Sequence, residues 1–347
     1  MDIILDTNIL RQDFALRANK FDALFSYLRR TSSNLLIPDV VFREAESLFR
    51  RELQSQVDKT RAASERLARI AFIDSTKISL HCDIEAEVRA YREFLWCPRG
   101  FNRSYFLKAD PKFLDETIDR LIYAKKPASS AGKEFRDIVI WLTIKDYLAL
   151  HSESYAFISA NTREFAAEGG SGLAVELQTE IAELPSKLFY FTSVEQFLKE
   201  KASEVDFVDL DWVQSAIPDK VLADLVLPEL RFQDSPFEAY AEKSVSSYTG
   251  YISVQDVSAT LDDFFVYDMF DDGLYLNLTY SADVEIEAGM QKFGASAEAG
   301  MREERQQSLL DGIEWTKTLH PKVFLSMSAK IVDHKIVDLE LDDWELA

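Results

Sequence analysis

Four short segments of the chain carry side chains that could act on a charged substrate. Leu5-Asp6-Thr7-Asn8 sets a carboxylate, a hydroxyl and an amide directly behind the apolar run Ile3-Ile4-Leu5. Glu44 falls about one turn into the helical pattern that follows Pro38. Asp137 ends the segment Gly132-Lys133-Glu134-Phe135-Arg136-Asp137, at the head of an apolar helical pattern. Ser159-Ala160-Asn161-Thr162-Arg163-Glu164-Phe165 comes immediately after another apolar run. Carboxylates are hard oxygen donors, and Mg²⁺ takes one or two of them together with waters and substrate phosphate. If Asp6, Glu44 and Asp137 converge, they suit such an ion; with no cation between them they would repel and raise one another's pKa. An ion held there lowers the pKa of a bound water and stabilises charge on a transferring phosphoryl group.

The elements that must position these groups read as an α/β unit, a parallel sheet flanked by helices. Residues 3–5, 35–37, 155–159 and 188–191 are expected strands. A long helix is expected from Val40, with Val41, Ala45, Leu48 and Phe49 as its apolar stripe, and another after Gly132 with Ile138, Trp141, Leu142 and Leu148 buried. Ser193 and Gln196 form a capping box that opens a helix running to about Lys201. Asp6 leaves the first strand at its carboxyl end, the edge at which open parallel sheets bind ligands. The loop at 168–172 is Gly-rich but lacks the spacing and lysine of a phosphate-binding loop.

Taken in order, these segments resemble the PIN domain family, in a bacterial PIN-like form. Its metal-dependent nucleases open with a strand running into D-T-N or a close variant, here Asp6-Thr7-Asn8. They carry a glutamate in the helix after the second strand, here Glu44, and an aspartate opening a later helix, here Asp137. A fourth acid usually follows the next strand; this chain departs from that pattern with Asn161, and Glu164 lies three residues on. The resemblance covers about residues 1–200, with a helical insertion at about 75–130. It implies a PIN-like (Rossmann-like) fold and a nuclease using Mg²⁺ or Mn²⁺ on single-stranded or structured RNA, leaving 5′-phosphate and 3′-hydroxyl ends. Asp6, Glu44 and Asp137 would be the metal ligands, with Asn161 and Glu164 completing the site. Thr7, Asn8, Lys125, Lys126, Lys133, Arg136, Thr162 and Arg163 are the expected substrate contacts. A DNA or flap nuclease, or a non-catalytic module that binds RNA or protein, fits the same segments.

Composition sets limits on this reading. The chain has 347 residues, 47% hydrophobic, with net charge −21. Residues 1–200 hold 30 acidic and 28 basic side chains, whereas 201–347 hold 30 and 11. A polyanion is therefore expected at the first half and repelled by the second. Basic residues Arg99, Arg103, Lys108, Lys112 and Arg120, with Phe101, Tyr105 and Phe106 among them, suggest a surface that tracks phosphates and stacks bases. The second half, from residue 203, is expected to be a smaller, mainly antiparallel β domain with strands at 251–258, 264–267, 274–286, 323–332 and 336–341 and a short helix at 301–310. A homo-oligomer contact or a basic protein partner would suit its acidity. Two cysteines and four scattered histidines match no disulfide framework or zinc spacing. The absence of a long apolar run and of a basic flank at the N-terminus leads to the expectation of a cytoplasmic protein with no membrane partner.

Overall fold

The computed structural model describes residues 1–70, 82–129, 131–170, 172–202, 205, 208–232, 234–245, 248–269, 273–290 and 315–347. The chain divides into two compact units, residues 1–202 and 203–347.

In the first unit, strands β1 (Asp2–Leu5), β2 (Leu35–Pro38), β3 (Ser104–Leu107), β4 (Ser154–Ile158) and β5 (Lys187–Phe191) form a parallel sheet in the order β3-β2-β1-β4-β5. The inner strands are buried on both faces, so they read as unbroken apolar runs rather than alternating ones: Ile3, Ile4 and Leu5 of β1 and Ala156, Phe157 and Ile158 of β4 are all fully buried. From β1 the chain builds outward through β2 to β3, then returns to place β4 on the other side of β1. The carboxyl end of the β1–β4 pair is thus the topological switch point, where open α/β sheets form their ligand crevice.

The helices that flank this point are α1 (Thr7–Gln12), α3 (Asp39–Ile70) and α6 (Phe135–Ala149), with α7 (Thr162–Phe165) following β4. Helix α6 buries Ile138, Trp141, Leu142, Ile144 and Leu148, which gives it the apolar face its sequence implies. Its partners are α5 (Phe113–Ile122) and α8 (Val175–Ile181): buried Arg120 pairs with Glu116 and with Glu180, and the Trp141 indole donates to Glu180 at 3.1 Å. The remaining helices of this unit are α2 (Asn19–Arg30), α4 (Ile84–Trp96) and α9 (Val194–Lys201). Ser193 caps α9 by accepting from the Gln196 N–H at 3.1 Å, as the capping box implies, although the Gln196 side chain turns to the Thr192 N–H at 2.8 Å.

One correction concerns the stretch expected to be a helical insertion at about 75–130. Residues 71–81 and 130 lie outside the described residues, but Ser104–Leu107 is strand β3, paired in parallel with β2 from Leu35↔Ser104 to Pro38↔Leu107. That stretch therefore completes the sheet. Two of its three aromatics serve packing, while Tyr105 is exposed: Phe101 is buried against Phe25, and Phe106 meets Phe42 and Trp96 at ring distances of 4.7 and 4.4 Å.

The second unit begins with three helices that the sequence reading did not anticipate, α10 (Leu210–Ala216), α11 (Asp219–Phe232) and α12 (Asp234–Ser244). Strands β6 (Tyr248–Asp268), β7 (Leu274–Met290), β8 (Trp315–Leu319), β9 (Lys322–Val332) and β10 (Lys335–Leu346) follow. They form an antiparallel sheet in the order β10-β9-β7-β6, with β8 pairing the end of β7 beyond β9. The expected strands at 251–258 and 264–267 are one strand, β6; the expected helix at 301–310 lies outside the described residues. Gly273 sits at φ +92°, where a Cβ would meet the Ile331 carbonyl oxygen at 2.5 Å, so the β6–β7 turn admits no side chain there. Among the described residues no helix is long and apolar enough to cross a membrane.

Phe157 lies fully buried at the centre of β4, edge-on to Phe165 of α7 at 5.0 Å and tilted against Tyr190 at 5.9 Å. Phe157→Ala should cost ~3–5 kcal/mol of stability, as aromatic truncation in a close-packed core does. Urea unfolding followed by far-UV circular dichroism checks it; a loss below ~1 kcal/mol would show that the core beneath α7 is not packed as described.

Candidate functional site

Asp6 follows β1 and caps α1, accepting from the Thr7 N–H at 2.6 Å. Its side chain is carried inward rather than to solvent, with only 2% of the residue exposed. Burial raises its pKa, and three hydrogen bonds oppose that rise: from Ser159 Oγ at 2.5 Å, from the Thr7 N–H, and from Asn8 Nδ2 at 2.9 Å. Asn8 also bridges to the chain after β4, its Oδ1 accepting from the Ala160 N–H at 3.0 Å. Ser159 is fully buried, and its carbonyl accepts from the Tyr190 hydroxyl of β5 at 2.6 Å. Burial, with the charges of Asp6 and Glu164, pushes the Tyr190 hydroxyl well above its ordinary range.

Asp137 stands in the first turn of α6, where the positive end of the helix favours an acid. Asn161 Nδ2 donates to its Oδ1 at 2.9 Å. Burial first, then the charges of Asp6 and Glu164, push its pKa up to about 6 despite the opposing effects of Asn161 and Arg136. That the charge of Asp6 raises the Asp137 pKa places the two carboxylates in one local field. Glu44 of α3 accepts from the Thr7 hydroxyl at 2.9 Å and pairs through its other oxygen with Arg136.

Asp6, Thr7, Asn8, Glu44, Arg136, Asp137 and Asn161 all line one cavity of about 280 Å³. Arg11, Leu48 and Arg51 complete the lining, and none of these had been singled out as a site residue. A signal for them existed: Arg11 is four residues from Thr7, and Leu48 and Arg51 are four and seven from Glu44, the spacing that keeps side chains on one helix face. Ser159, whose hydroxyl anchors Asp6, was visible only as the first residue of its segment.

The other expected contacts are placed elsewhere. Glu164 and the exposed Thr162 and Arg163 are absent from the cavity wall, and Glu164 acts on it through its charge. Lys126 Nζ donates to the Arg163 carbonyl at 2.6 Å, Lys125 rides over the Tyr123 ring at 5.6 Å, and Lys133 is exposed outside the cavity. Several members of the basic stretch are engaged by protein: Arg99 with Asp22, Arg103 with Asn34, Lys112 with Asp146 and Arg120 with Glu180.

Among the described residues, no three His, Cys, Asp or Glu side chains stand close enough to hold a metal ion together. Asp6 and Asp137 nevertheless suit a hard divalent cation, which needs one or two carboxylates beside water and phosphate. Asp137 Oδ2 has no hydrogen-bond partner among the described residues, and the Asp6 charge that raises the Asp137 pKa is one a cation would offset. Arg136, which lowers the pKa of both aspartates and pairs with Glu44, supplies the nearby positive charge.

The raised pKa of Asp137 has a measurable cost. A carboxyl harder to ionise when folded destabilises the fold wherever it is charged: the penalty is absent below the ordinary value of 3.8 and complete above about 6. In the metal-free chain Asp137→Asn should therefore raise stability at pH 7 by ~2 kcal/mol, and the gain should vanish as pH falls to about 4. Thermal denaturation in EDTA over that range checks it, and a variant less stable than wild type at pH 7 would contradict it.

Comparison with known proteins bears on the same residues. Residues 3–165 match the family model of the PIN domain, a span that contains Asp6, Glu44, Asp137, Asn161 and the first four strands of the sheet. No curated protein and no solved structure matches the chain, and the family model does not extend into the second unit. A five-stranded parallel sheet, acids gathered at its switch point and the family match over the same residues agree: the chain carries a PIN-like domain, a fold whose members are generally nucleases.

Proposed function

We propose that this domain is a divalent-metal-dependent endoribonuclease acting on single-stranded or structured RNA, with Mg²⁺ or Mn²⁺ as cofactor. The observation that carries the reading is that Asp6 and Asp137 face one cavity, each with its ionised form penalised, at the switch point of the sheet. Residues of this kind lower stability, and their presence together is a mark of a functional site.

Asp6 and Asp137 are the residues that would hold the ion, with Glu44, the third acid of the cavity wall, reached through water. When bound, it would supply an activated water and neutralise charge developing on the phosphoryl group. Asp6 is held rigid by Ser159, Asn8 and the Thr7 N–H, so its oxygens need no reorganisation. Asn161 orients Asp137 without adding a fourth negative charge. Thr7 orients Glu44, and Arg136 neutralises it until the substrate phosphate offers the guanidinium a second anion. The acidic second unit is a poor platform for a polyanion, so RNA binding belongs to the first.

Labelled single-stranded RNA and DNA, incubated with Mg²⁺, Mn²⁺ or EDTA, test the assignment. RNA should be cut in either metal and spared in EDTA. Asp6→Asn, Glu44→Gln and Asp137→Asn should each reduce the rate on the order of a hundredfold or more; Asn161→Ala should cost less, ~10–100-fold, because it acts through Asp137. Full activity in any two of the acid variants, purified free of host nuclease, would overturn the site. Stoichiometric, tightly held zinc would overturn the metal.

A further inference from the structure

Two cations at the site have no role in that reading. Arg11 and Arg51 are exposed, line the acidic cavity, and have no carboxylate or carbonyl partner among the described residues. Glu44, on the same helix as Arg51 and lining the same cavity, pairs with Arg136 instead.

The same two arginines also line a second cavity, of about 690 Å³, whose other walls are Gln12, Phe14, Leu48 and Glu52. The two cavities share Arg11, Leu48 and Arg51, so one continues into the other. Helix geometry explains the arrangement. Thr7 to Arg11 along α1 is a rise of ~6 Å and Glu44 to Arg51 along α3 ~10 Å, a span of roughly one to three nucleotides measured outward from the acids. The wall between the arginines' two cavities is apolar at Leu48, and the second cavity adds the ring of Phe14. That ring is fixed before any ligand arrives: Phe49 holds it edge-on at 5.4 Å and Tyr91 at 5.7 Å.

We propose that Arg11 and Arg51, with Phe14 and Leu48 lining the same cavity, form a subsite for single-stranded nucleic acid that takes the phosphates and one base next to the bond held at the acidic cavity. The chemistry is that of a strand rather than a duplex. Guanidiniums recognise phosphate oxygens in bidentate fashion, while an aromatic face is useful only to an unpaired base. The position of the subsite beside a scissile bond rests on the nuclease reading above; the binding of a strand to it does not.

The test uses the full chain and a fluorescein-labelled octauridylate, with anisotropy recorded in EDTA so that cleavage does not interfere. The double variant Arg11→Gln/Arg51→Gln should bind at least ~10-fold more weakly and lose about 1.4 from the slope of log affinity against log salt, two phosphate contacts on a single strand. Phe14→Leu should weaken binding several-fold or more, and the loss should disappear against an octamer of abasic residues, which has no base to stack. Lys187→Gln, which lines neither cavity, should bind as wild type. Unchanged affinity and salt slope in the double variant, or no binding of the octamer by wild type at low salt, would overturn the subsite. Arginine-dependent binding without cleavage in Mg²⁺ or Mn²⁺ would retain the subsite and sink the nuclease. Cleavage by wild type with unchanged binding in the double variant would do the reverse.

Discussion

The structure of the first unit turns on a single buried carboxylate. Removing an ion from water costs several kcal/mol unless partners replace its hydration, and Asp6 is almost wholly removed from water. Its partners come from separate pieces of chain. The backbone and amide of Thr7 and Asn8 are supplied by starting a helix at once after β1, and Ser159 by ending β4 at the same level. That requires β1 and β4 to be parallel neighbours in the register Leu5↔Ile158, with the Asp6 N–H donating to the Ile158 carbonyl at 3.1 Å. Tyr190 then ties β5 to the same point through the Ser159 carbonyl. Strand order, helix start and the placement of Asn161 are parts of one solution to one desolvation problem.

Much of this was legible from sequence because fully buried parallel strands are plain apolar runs, and β1, β2 and β4 are such runs; the edge strand β5 is half-exposed, but its run Leu188-Phe189-Tyr190-Phe191 is apolar throughout. β3 was not, for a physical reason. It is a four-residue edge strand, Ser104-Tyr105-Phe106-Leu107, with Tyr105 facing solvent and arginine and lysine close by in sequence. A short, half-exposed edge has no periodicity long enough to identify it. The same stretch illustrates how sequence proximity misleads about surfaces: Arg99, Arg103 and Arg120 cluster along the chain but turn to three different protein partners. The cations that line the acidic cavity, Arg11, Arg51 and Arg136, lie on three different helices.

In the second unit the phase of the sheet pattern was the obstacle. β6 pairs with β7 through register shifts between Val254 and Asp256 and between Leu261 and Asp263. Each extra residue moves the following side chains to the opposite face, so one strand looks like two unrelated alternating runs. The helices before it bury Leu222, Val226 and Leu230 at four-residue spacing, but Pro228 inside α11 interrupts the usual helical signature.

The wall of the acidic cavity contains three carboxylates, Asp6, Glu44 and Asp137, and three guanidiniums, Arg11, Arg51 and Arg136. On a chain of net charge −21 this is a locally balanced spot, made so by the amide of Asn161 standing where another acid would have tipped it negative. A balanced cavity neither repels a polyanion nor pulls it in strongly. One divalent ion bound there would make it positive, and a strand would then enter a field prepared by the ion. If a divalent ion and a strand both bind there, they are thermodynamically linked: whatever factor the ion contributes to the affinity for the strand, the strand returns to the affinity for the ion.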